Sequence, residues 1–259
     1  MDVQDRIVVV TGAAGGIGRA LARRFGEAGA KTVVCVDIDE LGAKQTAAEV
    51  GGVGLRLDVA DEAATGALIE QVETEIGPID LFCCNAGISM RGGPEVPDEA
   101  WDKIWKINVM AHIWAARHLA PRMIARGGGY FLNTASAAGL LSQVGSAPYA
   151  VTKHAAVAFA EWISLTYGDQ GIKVSVLCPQ AVNTNMIKGK EDGVAAVNGL
   201  IEPEPVAEAC LKAIEAETFL VLPHPEVLEY MRRKTSDYDR WLGGMRKLNR
   251  RFNPLAKPA

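Results

Sequence analysis

Seven short apolar runs punctuate the chain, at Arg6–Thr11, Lys31–Asp37, Val53–Asp58, Asp80–Asn85, Gly129–Ser136, Ile172–Pro179 and Phe219–Leu222. Their apolar residues run consecutively and do not alternate with polar ones. That is the pattern of strands covered on both faces. Between them lie longer segments with apolar residues at helical spacing. One opens at Gly16 and closes at Gly29, a glycine placed to cap a helix C-terminus. Another starts after Asp61, whose carboxylate can cap the first turn, and stops before Gly77-Pro78. Long helices are predicted over Asp98–Arg126 and Pro148–Gln170. Strands alternating with helices imply right-handed βαβ crossovers, hence an α/β fold with a doubly wound parallel sheet of about seven strands and helices on both faces.

A chain of 259 residues suits one domain over 1–259 better than two small ones. Within it, 183–203 is irregular and holds Gly189, Gly193 and Gly199, as expected of a substrate loop. The stretch 225–259 reads as a helical extension. There Trp241, Leu242, Met245, Leu248 and Phe252 recur at helical spacing, with Arg240, Arg246, Lys247, Arg250 and Arg251 between them. The expectation is a helix laid on the core or on a neighbouring subunit. A lid over a pocket and a membrane-surface helix are the alternatives.

The net charge of −4 supplies no global positive field for nucleic acid. No run reaches the roughly 18 to 20 apolar residues that cross a bilayer. The N-terminus lacks a basic patch followed by an apolar stretch and cleavage site, so a cytoplasmic protein with no membrane partner is expected. Cys35, Cys83, Cys84, Cys178 and Cys210 have neither C-x-x-C spacing nor a histidine nearby, so neither a metal site nor a disulfide framework is expected.

Thr11-Gly12-Ala13-Ala14-Gly15-Gly16-Ile17-Gly18 follows the first strand and opens the first helix. Glycine lets the main chain turn sharply and lets a ligand approach it. The helix start offers unpaired N–H groups and the positive end of its dipole, which suit a pyrophosphate. A glycine cluster alone would serve any tight turn; the strand–turn–helix setting points to a dinucleotide on a Rossmann-like sheet. The spacing Gly12-x3-Gly16-x-Gly18 differs from the common G-x-G-x-x-G. The second strand ends at Asp37, where a carboxylate accepts hydrogen bonds from the adenosine ribose and repels a 2′-phosphate. NAD is therefore expected over NADP. No basic residue stands at Gly15 or Ile38 to receive such a phosphate. The competing role for Asp37 is a helix cap ahead of Leu41.

Tyr149 and Lys153, four residues apart, share one face of a helix. Alone the pair arises readily by chance. Ser136 adds weight, because it ends a predicted strand and open α/β sheets bind ligands at that edge. With the glycine turn, these residues resemble the short-chain dehydrogenase/reductase superfamily, in its shorter single-domain subfamily, from Ile7 to Thr184. Asn85-Ala86-Gly87 resembles the motif that supports the cofactor after the fourth strand. Asn108 matches the family's catalytic asparagine, and Asp58-Val59 resembles the pair that contacts adenine. Pro179 to Thr184 resembles the segment against the nicotinamide, with Thr184 and the backbone at Val182 binding its carboxamide. The resemblance thus implies a cofactor site of Gly12, Gly16, Ile17, Gly18, Asp37, Asp58, Val59, Asn85, Ala86, Gly87, Tyr149, Lys153, Pro179, Val182 and Thr184.

It also implies an NAD-dependent oxidoreductase acting on CH–OH donors, moving hydride to or from a small-molecule secondary alcohol or ketone. Tyr149 would exchange the proton, its ordinary pKa near 10 lowered by Lys153 and the positive nicotinamide ring. Ser136 would hold the substrate oxygen, and Asn108 a water linking Lys153 to solvent. By position, Ile88, Met90, Leu140, Leu141, Gln143, Met186 and Ile187 would line an apolar pocket, suited to an alicyclic, aromatic or aliphatic alcohol. The family's usual assembly implies a homotetramer, with interfaces on Trp101–Met123 and Tyr149–Tyr167.

Gln180 departs from the family, which usually has glycine there; we expect it to point outward harmlessly. His112, His118, His154 and His224 read as structural. Arg91 reads as a solvated loop arginine, with an anchor for an acidic substrate group as the alternative. Two other functions remain in view. Asp37 weighs against an NADPH-dependent 3-oxoacyl carrier-protein reductase. Retention of Asn108, Ser136, Tyr149 and Lys153 together weighs against a non-catalytic NAD-binding sensor.

Overall fold

A computed structural model describes residues 1–189 and 193–253. Residues 190–192 of the expected loop and 254–259 of the expected extension lie outside the described residues. The apolar runs become β1 (Ile7–Thr11), β2 (Thr32–Asp37), β3 (Val53–Arg56), β4 (Leu81–Cys84), β5 (Gly129–Thr134), β6 (Ile172–Leu177) and β7 (Leu220–Val221). All pair in parallel, in the order β3-β2-β1-β4-β5-β6-β7. The order reverses between β1 and β4, which opens a crevice at the C-terminal edge.

The helices are α1 (Gly16–Glu27), α2 (Glu40–Glu49), α3 (Glu62–Glu75), α4 (Asp98–Trp105), α5 (Ala111–Ala125), α6 (Ala138–Leu141), α7 (Ala147–Tyr167), α8 (Pro203–Glu215), α9 (Glu226–Ser236) and α10 (Tyr238–Phe252). Strand alternation sorts the core into two layers. Ile7 and Val9 pack with Val34, Val36 and residues of α3, α5 and α7. Val8, Val10, Val33 and Cys35 face α1 and α8 instead. All five cysteines are free and buried. Among the described residues, no helix is long and apolar enough to cross a membrane.

The caps follow the sequence. Gly29 holds φ +82° just past α1, and Asp61 accepts the Ala64 N–H at 3.0 Å to start α3. The apolar pattern did not mark α2, which buries only Gly42, Ala43, Thr46 and Ala47 and so carries no large apolar stripe. The helix predicted over Asp98–Arg126 is instead α4 and α5 joined by a wide π turn, Lys106–Met110, which contains Asn108. Such turns concentrate at functional sites. Beyond β7, α9 buries only Val227 and α10 buries no residue.

Candidate active site

The site begins with Thr11, which ends β1. Its Oγ1 donates to the Cys83 carbonyl at 3.1 Å and accepts from the N–H groups of Asn85 (2.9 Å) and Ala86 (3.1 Å). Asn85 returns a bond from Nδ2 to the Thr11 carbonyl and accepts one from Thr134 of β5. The ends of β1, β4 and β5 are thereby tied together. The glycine turn then leaves β1 with Gly12 at φ +70° and Gly16 at φ +53°. A Cβ on Gly18 would lie 2.0 Å from the Gly12 carbonyl oxygen, so only glycine lets α1 start this close. A Cβ on Gly15 would meet nothing within 4 Å.

This cradle fits a dinucleotide. No side chain caps α1, its first turn carries no acidic residue, and Gly15, Gly16, Ile17 and Gly18 line the cavity. Asp37 faces the same cavity. Its Oδ2 accepts the Ala14 N–H and its Oδ1 the Asp39 N–H, both at 3.0 Å. The cap of α2 is Asp39, which accepts the Gly42 N–H at 3.1 Å. The capping role weighed for Asp37 thus belongs to its neighbour.

Ser136, Tyr149 and Lys153 meet where β5 ends and α7 begins. The Lys153 ammonium is buried, donates to the Thr134 carbonyl at 2.9 Å and lies 5.7 Å from the Tyr149 ring centroid. Burial lowers its pKa to about 8, with the Cys178 sulfur opposing. Burial raises the Tyr149 phenol, and its hydrogen bond with Ser136 opposes that rise. The Ser136 oxygen accepts the Ala138 N–H at 3.1 Å. Asn108 is buried with its amide engaged: Oδ1 takes the Ile88 N–H at 2.9 Å, and Nδ2 donates to the Ile88 carbonyl and to Thr152 Oγ1. A Cβ on Gly87 would approach both Asn108 Oδ1 (3.3 Å) and Lys153 Nζ (3.5 Å). Thr11, Thr134 and Thr152 were not singled out from the sequence, because a hydroxyl serving the main chain leaves no motif.

A cavity of about 1180 Å³ runs along this sheet edge, more than one small ligand needs. Ser136, Tyr149, Lys153, Asn85, Ala86, Gly87, Pro179, Val182 and Thr184 are on its wall. Asn108 and Asp58 are not; Asp58 Oδ1 accepts the Ala60 N–H at 2.9 Å. Val59 borders a separate void of about 10 Å³ beside His112, whose two ring nitrogens are buried without partners. Of the expected substrate residues, Met90, Leu141, Gln143, Met186 and Ile187 are on the wall. Ile88 and Leu140 are not: the Ile88 main chain brackets Asn108, and Leu140 packs toward α9, its carbonyl accepting from Lys234 at 2.6 Å. Gln180 does not point harmlessly outward. It lines the cavity with its Oε1 buried and unpaired, while its N–H donates to His224 Nδ1 at 3.1 Å.

The extension bears on the alternatives left by its spacing. Trp241, Met245, Leu248 and Phe252 line the cavity, and Trp241 also packs against the small buried cluster of Ala137, Leu141 and Val227. Leu242, off that stripe, is exposed. Tyr230 of α9 bonds Asn198 of the preceding loop at 3.1 Å, which fixes the base of this arm.

Comparison with known proteins agrees with this geometry. The chain is 34% identical, over 92% of its length and 90% of the relative's, to a 1-deoxy-11-beta-hydroxypentalenate dehydrogenase of Streptomyces exfoliatus. It is 33% identical, over 84% and 92%, to a cis-4-hydroxycyclohexanecarboxylate dehydrogenase of Sinomonas cyclohexanicum. A crystal structure of a short chain dehydrogenase/reductase from Burkholderia phymatum in complex with NAD superposes with a TM-score of 0.84 at 26% identity, over 92% of this chain and 96% of that one. The model of the short chain dehydrogenase family matches residues 6–195, and the chain belongs to that family.

Proposed function

We propose that this protein is an NAD-dependent dehydrogenase that exchanges hydride between the cofactor and a secondary alcohol or ketone, with Tyr149 as acid and base. The observation that carries the reading is the Ser136–Tyr149–Lys153 group opening into the same cavity as an uncapped, glycine-lined helix start. Relatives named as dehydrogenases of a hydroxypentalenate and a hydroxycyclohexanecarboxylate support CH–OH chemistry.

A bound nicotinamide supplies the hydride-exchanging centre. The chain's own residues handle the oxygen and its proton. Ser136 Oγ accepts the Ala138 N–H and donates to the Pro179 carbonyl over a long 3.4 Å, a bond its hydroxyl gives up to turn toward a substrate oxygen. Tyr149 takes the alcohol proton in oxidation and gives it back in reduction. The Lys153 cation, tethered to Thr134, favours the phenolate. Asn108 holds the Ile88 main chain and Thr152 of α7, and so positions the wall behind Lys153. A phenol raised by burial must lose its proton for oxidation, so oxidation is expected to quicken, and reduction to slow, as pH rises.

Asp37 supports NAD. Two N–H groups orient its carboxylate toward the cavity, where a 2′-phosphate would meet like charge. Arg56, its register partner on β3, is exposed. The test is kcat/KM for a panel of secondary alcohols with each cofactor, in wild type and Tyr149→Phe. NAD should be preferred, and loss of the phenol should cut kcat about 1000-fold. A strong NADPH preference would refute the cofactor assignment, and full turnover by the variant the mechanism. Exposed Val151, Trp162 and Leu165 on α7 support a homotetramer; light scattering should give four chain masses. Five free buried thiols support a reducing, cytoplasmic setting.

A further inference from the structure

Chemistry at Tyr149 leaves the arm end of the cavity unexplained. That end joins an apolar wall, including Met90, Leu141, Trp241 and Leu248, to three arginines, Arg91, Arg233 and Arg240. The chain as a whole carries −4, so this local positive excess runs against its overall charge. Arg233 is paired with Glu229 at 2.9 Å. Asp237, also on the wall, caps α10 through the Arg240 N–H at 2.9 Å. Among the described residues, Arg91 has no hydrogen-bond or ion-pair partner. Arginines elsewhere, such as Arg24 and Arg126, each meet a glutamate at 2.7 Å. The carboxylate nearest to Arg91 in sequence, Glu95, is turned to the Gly93 N–H at 2.7 Å.

Arg91 is an exposed residue, but the main chain that carries it is held in place. Ser146 Oγ donates to the Met90 carbonyl. On the other side, the Gly92 N–H donates to Gly145 at 3.1 Å, and the Gly92 carbonyl accepts from Ala147 at 2.8 Å. The main chain on both sides of Arg91 is thus pinned to the start of α7, two residues from Tyr149. Such a guanidinium recognises a planar anion with two parallel hydrogen bonds.

We infer that the substrate is an apolar hydroxy acid, its secondary alcohol at Tyr149 and its carboxylate at Arg91, with Arg240 adding charge from the arm. This rests on the dehydrogenase reading and narrows it. The test uses straight-chain acids with the secondary alcohol next to the terminal methyl group, from hexanoate to dodecanoate, each beside its methyl ester. Turnover is measured with NAD, and binding separately by tryptophan quenching with NADH present, since Trp241 lines the cavity. Acids of the matching length should exceed their esters about tenfold in kcat/KM, mainly through KM, and in affinity. Arg91→Gln should bring that ratio close to one, and Arg91→Lys should restore part of it. Equal use of acid and ester overturns the anchor and leaves the dehydrogenase intact. Acid-selective binding that depends on Arg91, without turnover of any alcohol, upholds the anchor and defeats the reaction. Loss of both turnover and selectivity overturns both.

Discussion

At the β1 end of the cavity, one added methyl group on Gly18 would sit 2.0 Å from a carbonyl oxygen and 2.7 Å from the Asn85 amide. At the arm end, α10 buries no side chain, and its apolar stripe faces the pocket. The first region is over-determined: Thr11, Asn85 and Thr134 stitch three strands, and Gly12, Gly16 and Gly18 leave no room for a Cβ. The second is held at a few points, Tyr230 on Asn198 and Lys234 on the Leu140 carbonyl among them. On the proposed function the contrast is physical economy: the end assigned to the cofactor is locked, and the end assigned to the substrate is loosely roofed.

Four experiments test this contrast. The largest effect is expected from Gly18→Ala, which has nowhere to put its Cβ. It should cost about 3 kcal/mol or more in urea unfolding and abolish cofactor binding; a stable, NAD-binding variant would show that the turn can yield. Ending the chain after Ser236 removes α10. It should lower kcat/KM for apolar alcohols about 100-fold while cofactor affinity changes less than about threefold; equal losses in both would join the two ends into one unit. Asp37→Ser should cost about tenfold in kcat/KM with NAD and narrow the gap to NADP, one charge-assisted contact being at stake.

The smallest effect concerns His112, buried beneath the locked end. Burial, with the Lys153 charge adding to it, lowers its pKa to about 3. The unfolded chain therefore takes a proton that the folded chain refuses, and stability falls with pH below about 6.5. Between pH 7 and 5.5 the loss should be about 1 kcal/mol, and His112→Leu should flatten it in urea titrations at each pH. An unchanged slope would place the acid sensitivity elsewhere.

The strands were legible because a doubly covered strand must be apolar throughout, as Val8, Val9 and Val10 are. Ser136, Tyr149 and Lys153 were legible by their company, since chance alone could supply the pair: a glycine turn precedes them and Ser136 ends a predicted strand, and all three line one cavity. The rest was hidden for stated reasons. An apolar stripe such as Trp241–Phe252 looks the same whether it packs on a core or over a hollow. Gln180 has the same letter facing in or out, and the His224 that its main-chain N–H meets lies far along the chain. Ile88 and Leu140 were placed on the wall by position alone, and main-chain bonding to Asn108 and Lys234 turned them to other duties.

The π turn at Lys106–Met110 has a consequence for how the helix keeps phase. A widened turn holds one more residue than an α turn of the same height. Ahead of it, Ile104 is buried; beyond it, Ala115, Leu119 and Met123 all reach the core. Deleting a single residue there would rotate one half against the other by about 100°. Either Asn108 would lose Thr152 or α5 would turn its apolar face from the sheet. That surplus residue lets one rod serve two masters, and the chain can neither shorten nor straighten it without choosing between them.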